Sequence, residues 1–287
     1  MHTGKEIKTM NIIQKQIPEN AEILLHGDTH IGNIMVYYNG LDKLIKYVKN
    51  TGAYVIHMGD WIESIISDDK RFQYETHKDP IPLRQVAETV KIYQPIADKI
   101  LVGLEGNHEW KLERFGNLAE EICRRLNIPF GASTAKLHLY NKKSLMLKMF
   151  LTHGYRGLLQ SNAKDFLQQQ ANIKANLKRK LVHKAGDCLV MACGHYHHTL
   201  VVPPAERLIL SDNGKEIKQK YLKAGNGAEE YIEPDRRYYL CTGSFLKTFE
   251  IGVSGYAERA GYDPVELGYI SVKLKGSVIS SVERIMI

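Results

Sequence analysis

The sequence predicts an α/β fold, and two observations support that prediction. In the first half of the chain, short apolar runs alternate with longer stretches in which apolar residues recur at helical spacing. This order of strand, helix and strand is typical of a sheet covered by helices. After residue 198, short apolar runs follow one another with polar turns between them, which indicates a mainly β segment.

The first half contains three predicted strands and three predicted helices. The strand candidates are short apolar runs, which favour buried strands of a parallel sheet because both faces of such a sheet are covered. They are Ile23–Leu25, Tyr54–Ile56 and Ile100–Val102. The helical stretches between and after them are Leu41–Asn50, Leu83–Ala97 and Leu118–Leu126.

The second half begins with two neighbouring strands joined by the polar turn Asn141-Lys142-Lys143. The turn-like sequence Asp212-Asn213-Gly214 predicts a hairpin further along, and Lys275-Gly276-Ser277 predicts a turn into a last strand that ends at Ile287. The predicted strands are Lys136–Tyr140, Leu145–Leu151, Leu189–Cys193, Leu208–Leu210, Tyr221–Leu222, Tyr238–Cys241 and Tyr269–Leu274. We expect one domain over residues 1–287, with an N-terminal extension at 1–20 and a mainly β segment at 199–287 that completes the second sheet.

The composition favours a globular protein and argues against disulfide-rich, secreted and membrane-spanning classes. The chain has 287 residues, 44% of them hydrophobic, which is enough for a sizeable core. Its four cysteines are too few and too scattered for a disulfide framework or a zinc knuckle. Residues 1–20 carry no apolar signal-peptide core, and no apolar run approaches the length of a membrane span. We therefore expect a soluble, cytoplasmic protein that does not interact with membranes.

Five of the apolar runs are followed by residue types that bind divalent metals. The motifs are Gly27-Asp28-Thr29-His30, Gly59-Asp60-Trp61-Ile62-Glu63, Gly106-Asn107-His108-Glu109, Thr152-His153-Gly154 and Gly194-His195-Tyr196-His197. Carboxylate, imidazole and amide groups at separate strand ends can meet only if the fold brings those ends together. Such convergence predicts a hydrolase with two metal ions.

The net charge of +7 is concentrated in one segment. Between Gly154 and Gly186 there are seven basic residues and one acidic residue, which gives +6. Phe166, Ile173 and Leu177 recur there at helical spacing, so the segment predicts an amphipathic helix with a basic outer face. A polyanion such as nucleic acid is one partner for that face. The alternative is an ordinary solvated helix surface.

The five motifs, in this order, resemble those of the calcineurin-like metallophosphoesterases over residues 23–197. The resemblance implies a four-layer α/β/β/α sandwich of two mixed sheets, with the metal ions at the carboxyl ends of the strands. It implies a first metal bound by Asp28, His30 and His197 and a second bound by Asn107, His153 and His195, with Asp60 bridging them. The donor types suit manganese, iron or zinc, and manganese is the expected ion.

The resemblance also implies catalytic roles. His108 matches a histidine that contacts the phosphate and protonates the leaving oxygen, and Asn107 lies beside the substrate as well as on a metal. Glu63 stands where many relatives have an aspartate that pairs with this histidine, so we expect it to orient His108. Arg156 is a candidate for binding a phosphate oxygen. Trp61 and Trp110 either stack on a base or pack in the core or at the rim.

The implied reaction is attack of a metal-activated hydroxide on a phosphorus ester. The arginines typical of protein serine/threonine phosphatases are missing around Glu63 and Asn107, which argues against that branch. The basic segment, and a similarity to phage- or prophage-encoded metallophosphoesterases described as DNA exonucleases, make DNA the favoured substrate. A small-molecule or nucleotide phosphodiesterase or phosphatase is the alternative, and an inactive binding protein is the least favoured. The sequence leaves a partner ATPase and the oligomeric state undetermined.

Overall fold

A computed structural model describes residues 10–69, 72–154, 157, 159–250, 252–259, 261 and 263–287. The strands are β1 Asn11–Gln16, β2 Ala21–His26, β3 Tyr54–His57, β4 Ile100–Gly103, β5 Thr134–Asn141, β6 Ser144–Thr152, β7 Val190–Cys193, β8 Thr199–Val202, β9 Leu208–Asp212, β10 Ile217–Tyr221, β11 Tyr238–Thr242, β12 Gly268–Lys275 and β13 Val278–Met286. The α-helices are α1 Tyr38–Thr51, α2 Pro82–Tyr93, α3 Asn107–Lys111, α4 Leu118–Leu126, α5 Phe166–Leu181 and α6 Tyr256–Arg259.

The strands form two large mixed sheets and one separate hairpin. The six-stranded sheet has the order β1-β5-β6-β7-β11-β8, and the five-stranded sheet has the order β13-β12-β2-β3-β4. Strands β2, β3 and β4 run parallel to one another, whereas β12 is antiparallel to both of its neighbours. In the other sheet, β6, β7 and β11 run parallel. The hairpin consists of β9 and β10.

The two sheets pack face to face, with helices on both outer sides. Leu24 of β2 belongs to a core cluster that includes Leu44 of α1, so this face of the five-stranded sheet is covered by helices. The neighbouring Leu25 belongs to a second cluster with Leu137 of the six-stranded sheet. Because alternate residues of a strand point to opposite faces, β2 contributes to both clusters. The expected α/β/β/α sandwich is therefore present.

Helix α5 covers the outer face of the six-stranded sheet. Its Leu177 and Leu181 are buried in a third cluster with Phe150 of β6 and Met191 of β7. Ile173 packs partly against this cluster, whereas Phe166 at the start of the helix is 65% exposed. The predicted apolar face therefore packs against the sheet from Ile173 onwards.

Several elements differ from the sequence expectation. Residues 11–16, within the expected N-terminal extension, form β1 and pair with β5. The segment at 199–287 does not complete a single sheet, because β8 and β11 join one sheet while β12 and β13 join the other. Helix α2 ends at Tyr93, before the predicted end, and a 3-10 turn follows over Gln94–Lys99 because Pro95 has no N–H to continue an α-helix. Among the described helices, none combines the length and the apolar character needed to cross a bilayer.

Candidate metal centre

The loops after five strands bring the predicted metal ligands together. These loops follow β2, β3 and β4 in one sheet and β6 and β7 in the other, so they meet at one edge of the sandwich. Three groups of potential donor atoms lie within 4.8 Å of one another: Asp28 with His30 and His197, His30 with Asp60 and His108, and Asp60 with His153 and His195. Asp60 and His30 each belong to two of these groups, so the three groups form one continuous cluster.

Asp60 lies between the two sets of histidines. Its Oδ2 is 3.3 Å from Nε2 of His153 and 3.8 Å from Nε2 of His30. Its Oδ1 accepts a hydrogen bond from the backbone N–H of His108 at 2.9 Å. Burial opposes ionisation of Asp60, but the neighbouring His153 and His108 charges outweigh it and hold the pKa of Asp60 well below its ordinary value. The carboxylate is therefore an anion positioned to bridge two cations.

Asp28 is held in a similar way on one side of the cluster. Its side chain is fully buried, and both of its oxygens accept from the backbone N–H of His195, at 3.2 and 3.0 Å. Its Oδ1 is also 3.2 Å from Nε2 of His197. The backbone contact with His195 links the strand-end loops of the two sheets.

His153 and Asn107 lie on the other side of Asp60. Nδ1 of His153 lies 2.8 Å from the backbone carbonyl oxygen of Met58. Because a carbonyl oxygen only accepts, Nδ1 carries the proton, and Nε2 is directed towards the cluster. Nε2 of His153 lies 3.0 Å from Oδ1 of Asn107. The amide oxygen and the imidazole nitrogen could therefore bind the same ion.

The backbone at this edge is unusual. The described chain has ten non-glycine residues with positive φ, and half of them are predicted ligands: Asp28, His30, Asp60, His195 and His197, with φ between 49° and 70°. Positive φ is uncommon outside glycine, although aspartate and histidine adopt it more often than most side chains, and such conformations concentrate at functional sites. With this backbone conformation, neighbouring ligands of one short motif, such as Asp28 and His30, direct their side chains to the same cluster.

Gly106 allows the closest approach of two loops. A Cβ at this position would lie 2.0 Å from Oδ1 of Asp60 and 2.1 Å from the Asp60 backbone nitrogen. Any side chain at residue 106 would therefore displace the central carboxylate. The motif has a glycine before Asn107 because no larger residue fits there.

The donor set fits a pair of divalent ions. Imidazole, carboxylate and amide oxygen together suit manganese, iron or zinc. Nε2 of His30 is buried and has no hydrogen-bond partner within the described part of the chain. A buried, unsatisfied imidazole nitrogen facing a carboxylate is well explained by a ligand role. Burial lowers the pKa of His30, but Glu63 and then Asp60 raise it, with a net pKa of about 9.

Glu63 lies next to both His108 and His30. Nδ1 of His108 lies 2.5 Å from the backbone carbonyl oxygen of Glu63. The Glu63 carboxylate points elsewhere, with its Oε2 3.1 Å from Nδ1 of His30. The printed contact of this carboxylate is with His30, while the His108 charge also helps to lower the pKa of Glu63. His108 itself lies at the cluster, with its ring centroid 4.5 Å from that of His30.

Three further residues were singled out in the sequence: Trp61, Trp110 and Arg156. Trp61 is fully buried, stacks on His57 with ring centroids 3.4 Å apart, and donates from Nε1 to the Leu104 carbonyl oxygen. It is a core residue and cannot stack on a base. Trp110 is 55% exposed. Arg156 lies outside the described residues.

Glu109 has a role that was not predicted from the sequence. Its Oε1 accepts from the backbone N–H of Ile62, and its Oε2 accepts from that of Gly106, each at 2.9 Å. The fully buried carboxyl thus ties the loop of Asp60 to the loop of Asn107. Burial, and then the nearby Asp60 charge, raise the pKa of Glu109 to about 7. The position of Glu109 at the end of the Gly-Asn-His-Glu motif is the feature of the sequence that could have indicated this role.

Comparison with known proteins gives a family match over most of the chain. The model of the calcineurin-like phosphoesterase family matches residues 21–228. Similar solved structures include YfcE, a phosphoesterase from E. coli, at 14% identity and a TM-score of 0.39, covering 91% of this chain and 98% of that chain. Another is the calcineurin-like phosphoesterase YfkN from Bacillus subtilis, at 13% identity and a TM-score of 0.36, covering 93% of this chain and 90% of that chain.

A conserved uncharacterized protein from Streptococcus pneumoniae, a predicted phosphoesterase, is also similar, at 11% identity and a TM-score of 0.37, covering 93% of this chain and 90% of that chain. The search of curated proteins finds no match. The family model spans more than half of the sequence, and its residues include all five motifs. The chain therefore belongs to the calcineurin-like phosphoesterases, which depend on two metal ions, and is a hydrolase of phosphoric esters.

Proposed function

We propose that the protein is a two-metal phosphodiesterase and that its substrate is DNA. The observation that carries the two-metal part is the position of Asp60, whose Oδ2 faces His30 on one side and His153 on the other. In this proposal the first ion is bound by Asp28, His30, His197 and Asp60. The second is bound by Asn107, His153, His195 and Asp60.

Two divalent ions, when bound, supply the positive charge that binds phosphoryl oxygens and activates water. The protein holds their ligands in place through backbone contacts, such as the one from the His195 N–H to Asp28. His108 is the proposed general acid. Its Nδ1 is held by the Glu63 carbonyl oxygen, which leaves Nε2 as the ring atom that gives a proton to the leaving oxygen. Asn107 and Arg156 are the proposed substrate contacts.

The basic outer face of α5 supports DNA as the substrate. Lys174 and Arg179 on α5, and Lys184 just after it, are exposed, and within the described residues none of them forms an ion pair with a carboxylate. Lys178 differs, because its Nζ lies 2.5 Å from Oδ1 of Asp235. Exposed cations without an acidic partner favour a polyanionic ligand.

Helix α5 also lies next to the candidate metal centre. Nζ of Lys180 is 5.1 Å from the ring centroid of Tyr196, and that ring is 5.2 Å from the ring of His195. Tyr196 stands between His195 and His197 in the sequence. A nucleic acid that follows the basic helix face would therefore reach the metal centre.

A nucleotide or other small phosphoester is the second candidate. Strands β8, β11, β12 and β13 are all part of the two large sheets, so most of the segment at 199–287 serves the catalytic fold. Among its described strands, only β9 and β10 stand apart as a hairpin. Because these strands serve the catalytic sandwich, they do not form a separate DNA-binding unit, which is compatible with a small substrate.

The test is an assay of the purified protein with manganese and end-labelled single- and double-stranded DNA. A nucleoside monophosphate and an aryl phosphodiester are run beside it, and His108→Ala serves as the control for contaminating nucleases. DNA cleavage that disappears in His108→Ala supports the proposal. If only the monophosphate or the aryl diester is hydrolysed, DNA is not the substrate and the second candidate replaces it.

A further inference from the structure

Glu63 touches two different histidines of the centre through two different groups. Its backbone carbonyl oxygen contacts Nδ1 of His108, and its carboxylate Oε2 lies 3.1 Å from Nδ1 of His30. The Glu63 side chain is 6% exposed and that of His30 is 3% exposed, so water has little access to this contact. The contact is short enough for the carboxylate to accept the Nδ1 proton of His30.

The position of Glu63 is set by the pairing of two loops. Residues 29–31 run alongside residues 61–63, with the backbone N–H of Ile31 donating to the Trp61 carbonyl oxygen and that of Glu63 donating to the Ile31 carbonyl oxygen, each at 3.0 Å. Ile31 and Ile62 form a parallel bridge at the centre of this pairing. Glu63 is therefore held beside the loop that carries His30, rather than beside the ring of His108.

His30 needs an external group to fix its ring. Its φ is 49°, in the left-handed region, and its Nε2 points towards Oδ2 of Asp60 at a distance of 3.8 Å. An imidazole binds a metal through one nitrogen and is oriented through the other, and a carboxylate at the second nitrogen sets both the tautomer and the ring angle. Within the described residues, the Glu63 carboxylate is the acidic group that contacts Nδ1 of His30.

We propose that Glu63 is a positioning residue that orients His30 towards the first metal ion, and that its carboxylate does not serve His108. The inference rests on the proposed two-metal function. In this role the carboxylate supports metal binding, whereas a carboxylate paired with His108 would support proton transfer. Substitutions of Glu63 would therefore change metal affinity in the first case and turnover in the second.

The test is a manganese titration by calorimetry of the wild type, Glu63→Ala and Glu63→Gln. Loss of such a supporting group typically weakens metal binding by about 10–100-fold. We expect a loss of this size at one of two sites in Glu63→Ala, and a smaller loss in Glu63→Gln, which keeps an oxygen near Nδ1. Glu22→Ala is the matched control, because this carboxylate accepts from Tyr47 and Ser271 at the opposite end of β2. Circular dichroism checks that each variant is folded.

The same titration in a His108→Ala background separates the two roles. If Glu63 positions His30, the fold-change in manganese affinity is the same with and without His108. Unchanged affinity in Glu63→Ala, with turnover lost at saturating manganese, would overturn the inference and return the carboxylate to His108. In that outcome the wild type still binds two ions, so the proposed function survives. A wild type that binds fewer than two ions would overturn both.

Discussion

Nε2 of His153 lies 3.3 Å from Oδ2 of Asp60, while Nδ1 of the same ring contacts the Met58 carbonyl oxygen at 2.8 Å. The backbone contact orients the ring, and the ring in turn presents Nε2 to the carboxylate. Both side chains are buried, so the charge of the carboxylate must be balanced nearby, either by a protonated histidine or by a metal ion. This relationship is the centre of the proposed two-metal site, and the predictions below depend on it.

Asp60→Asn should remove metal binding at one or both positions. The amide has nearly the shape of the carboxylate but lacks the negative charge that a bridging ligand shares between two cations. The measurement is the number of manganese ions bound per chain at saturation. Two ions bound with wild-type affinity would show that Asp60 does not bridge them.

Metal binding should release protons. Burial lowers the pKa of His153, but Asp60 raises it, with a net pKa of about 10, and the pKa of His30 is raised to about 9. Both imidazoles therefore carry a proton at pH 7 in the metal-free protein, whereas a metal ligand must be neutral. We expect roughly two protons released per chain, and affinity that rises with pH from 7 towards 9.

Calorimetry in buffers of different ionisation enthalpy measures that proton release directly. The His153→Ala variant is the control, since it removes one of the two protonated rings. A heat of binding that is the same in every buffer at pH 7 would contradict the account of these pKa shifts.

His108→Ala should reduce turnover by about 10²–10⁴-fold while leaving metal binding intact, because it removes a general acid and not a ligand. The contact to Asp60 comes from the backbone N–H of residue 108, so it survives the substitution. Steady-state kinetics on an aryl phosphodiester and a manganese titration check the two halves of this expectation. Undiminished turnover would remove the role assigned to His108.

Gly106→Ala should disrupt the centre for a steric reason. The new methyl group would lie 2.0 Å from Oδ1 of Asp60, so the loops must separate. Displacing catalytic groups by about 1 Å can cost about 10²-fold in rate, and we expect at least that loss in turnover. Gly186→Ala is the matched control, because its Cβ would lie 3.2 Å from Cδ2 of Tyr231, which is 62% exposed and can move. Equal activity in the two variants would contradict the prediction.

The sequence predicted the parts of the site that follow directly from strand order. The motifs at Asp28, Asp60 and Asn107 follow parallel strands of one sheet, and parallel strands deliver their carboxyl ends to the same edge. The alternation of short apolar runs with helical stretches likewise predicted the α/β fold, whereas the four-layer arrangement was expected from the resemblance to the calcineurin-like family.

The parts that were not predicted depend on loop geometry and on contacts between distant segments. The pairing of residues 29–31 with 61–63 decides which histidine faces Glu63, and no local pattern records that pairing. The burial of Trp61 against His57 is also a tertiary property. Strand β1 contains both polar and apolar residues. Its partner, β5, lies more than a hundred residues later in the sequence.

The most direct test of the account is the number of manganese ions bound per chain, measured by elemental analysis after equilibrium dialysis of the wild type and of Asp60→Asn. We expect two ions per chain in the wild type and fewer than two in the variant. One ion or none in the wild type at saturating manganese would contradict the two-metal site around Asp60.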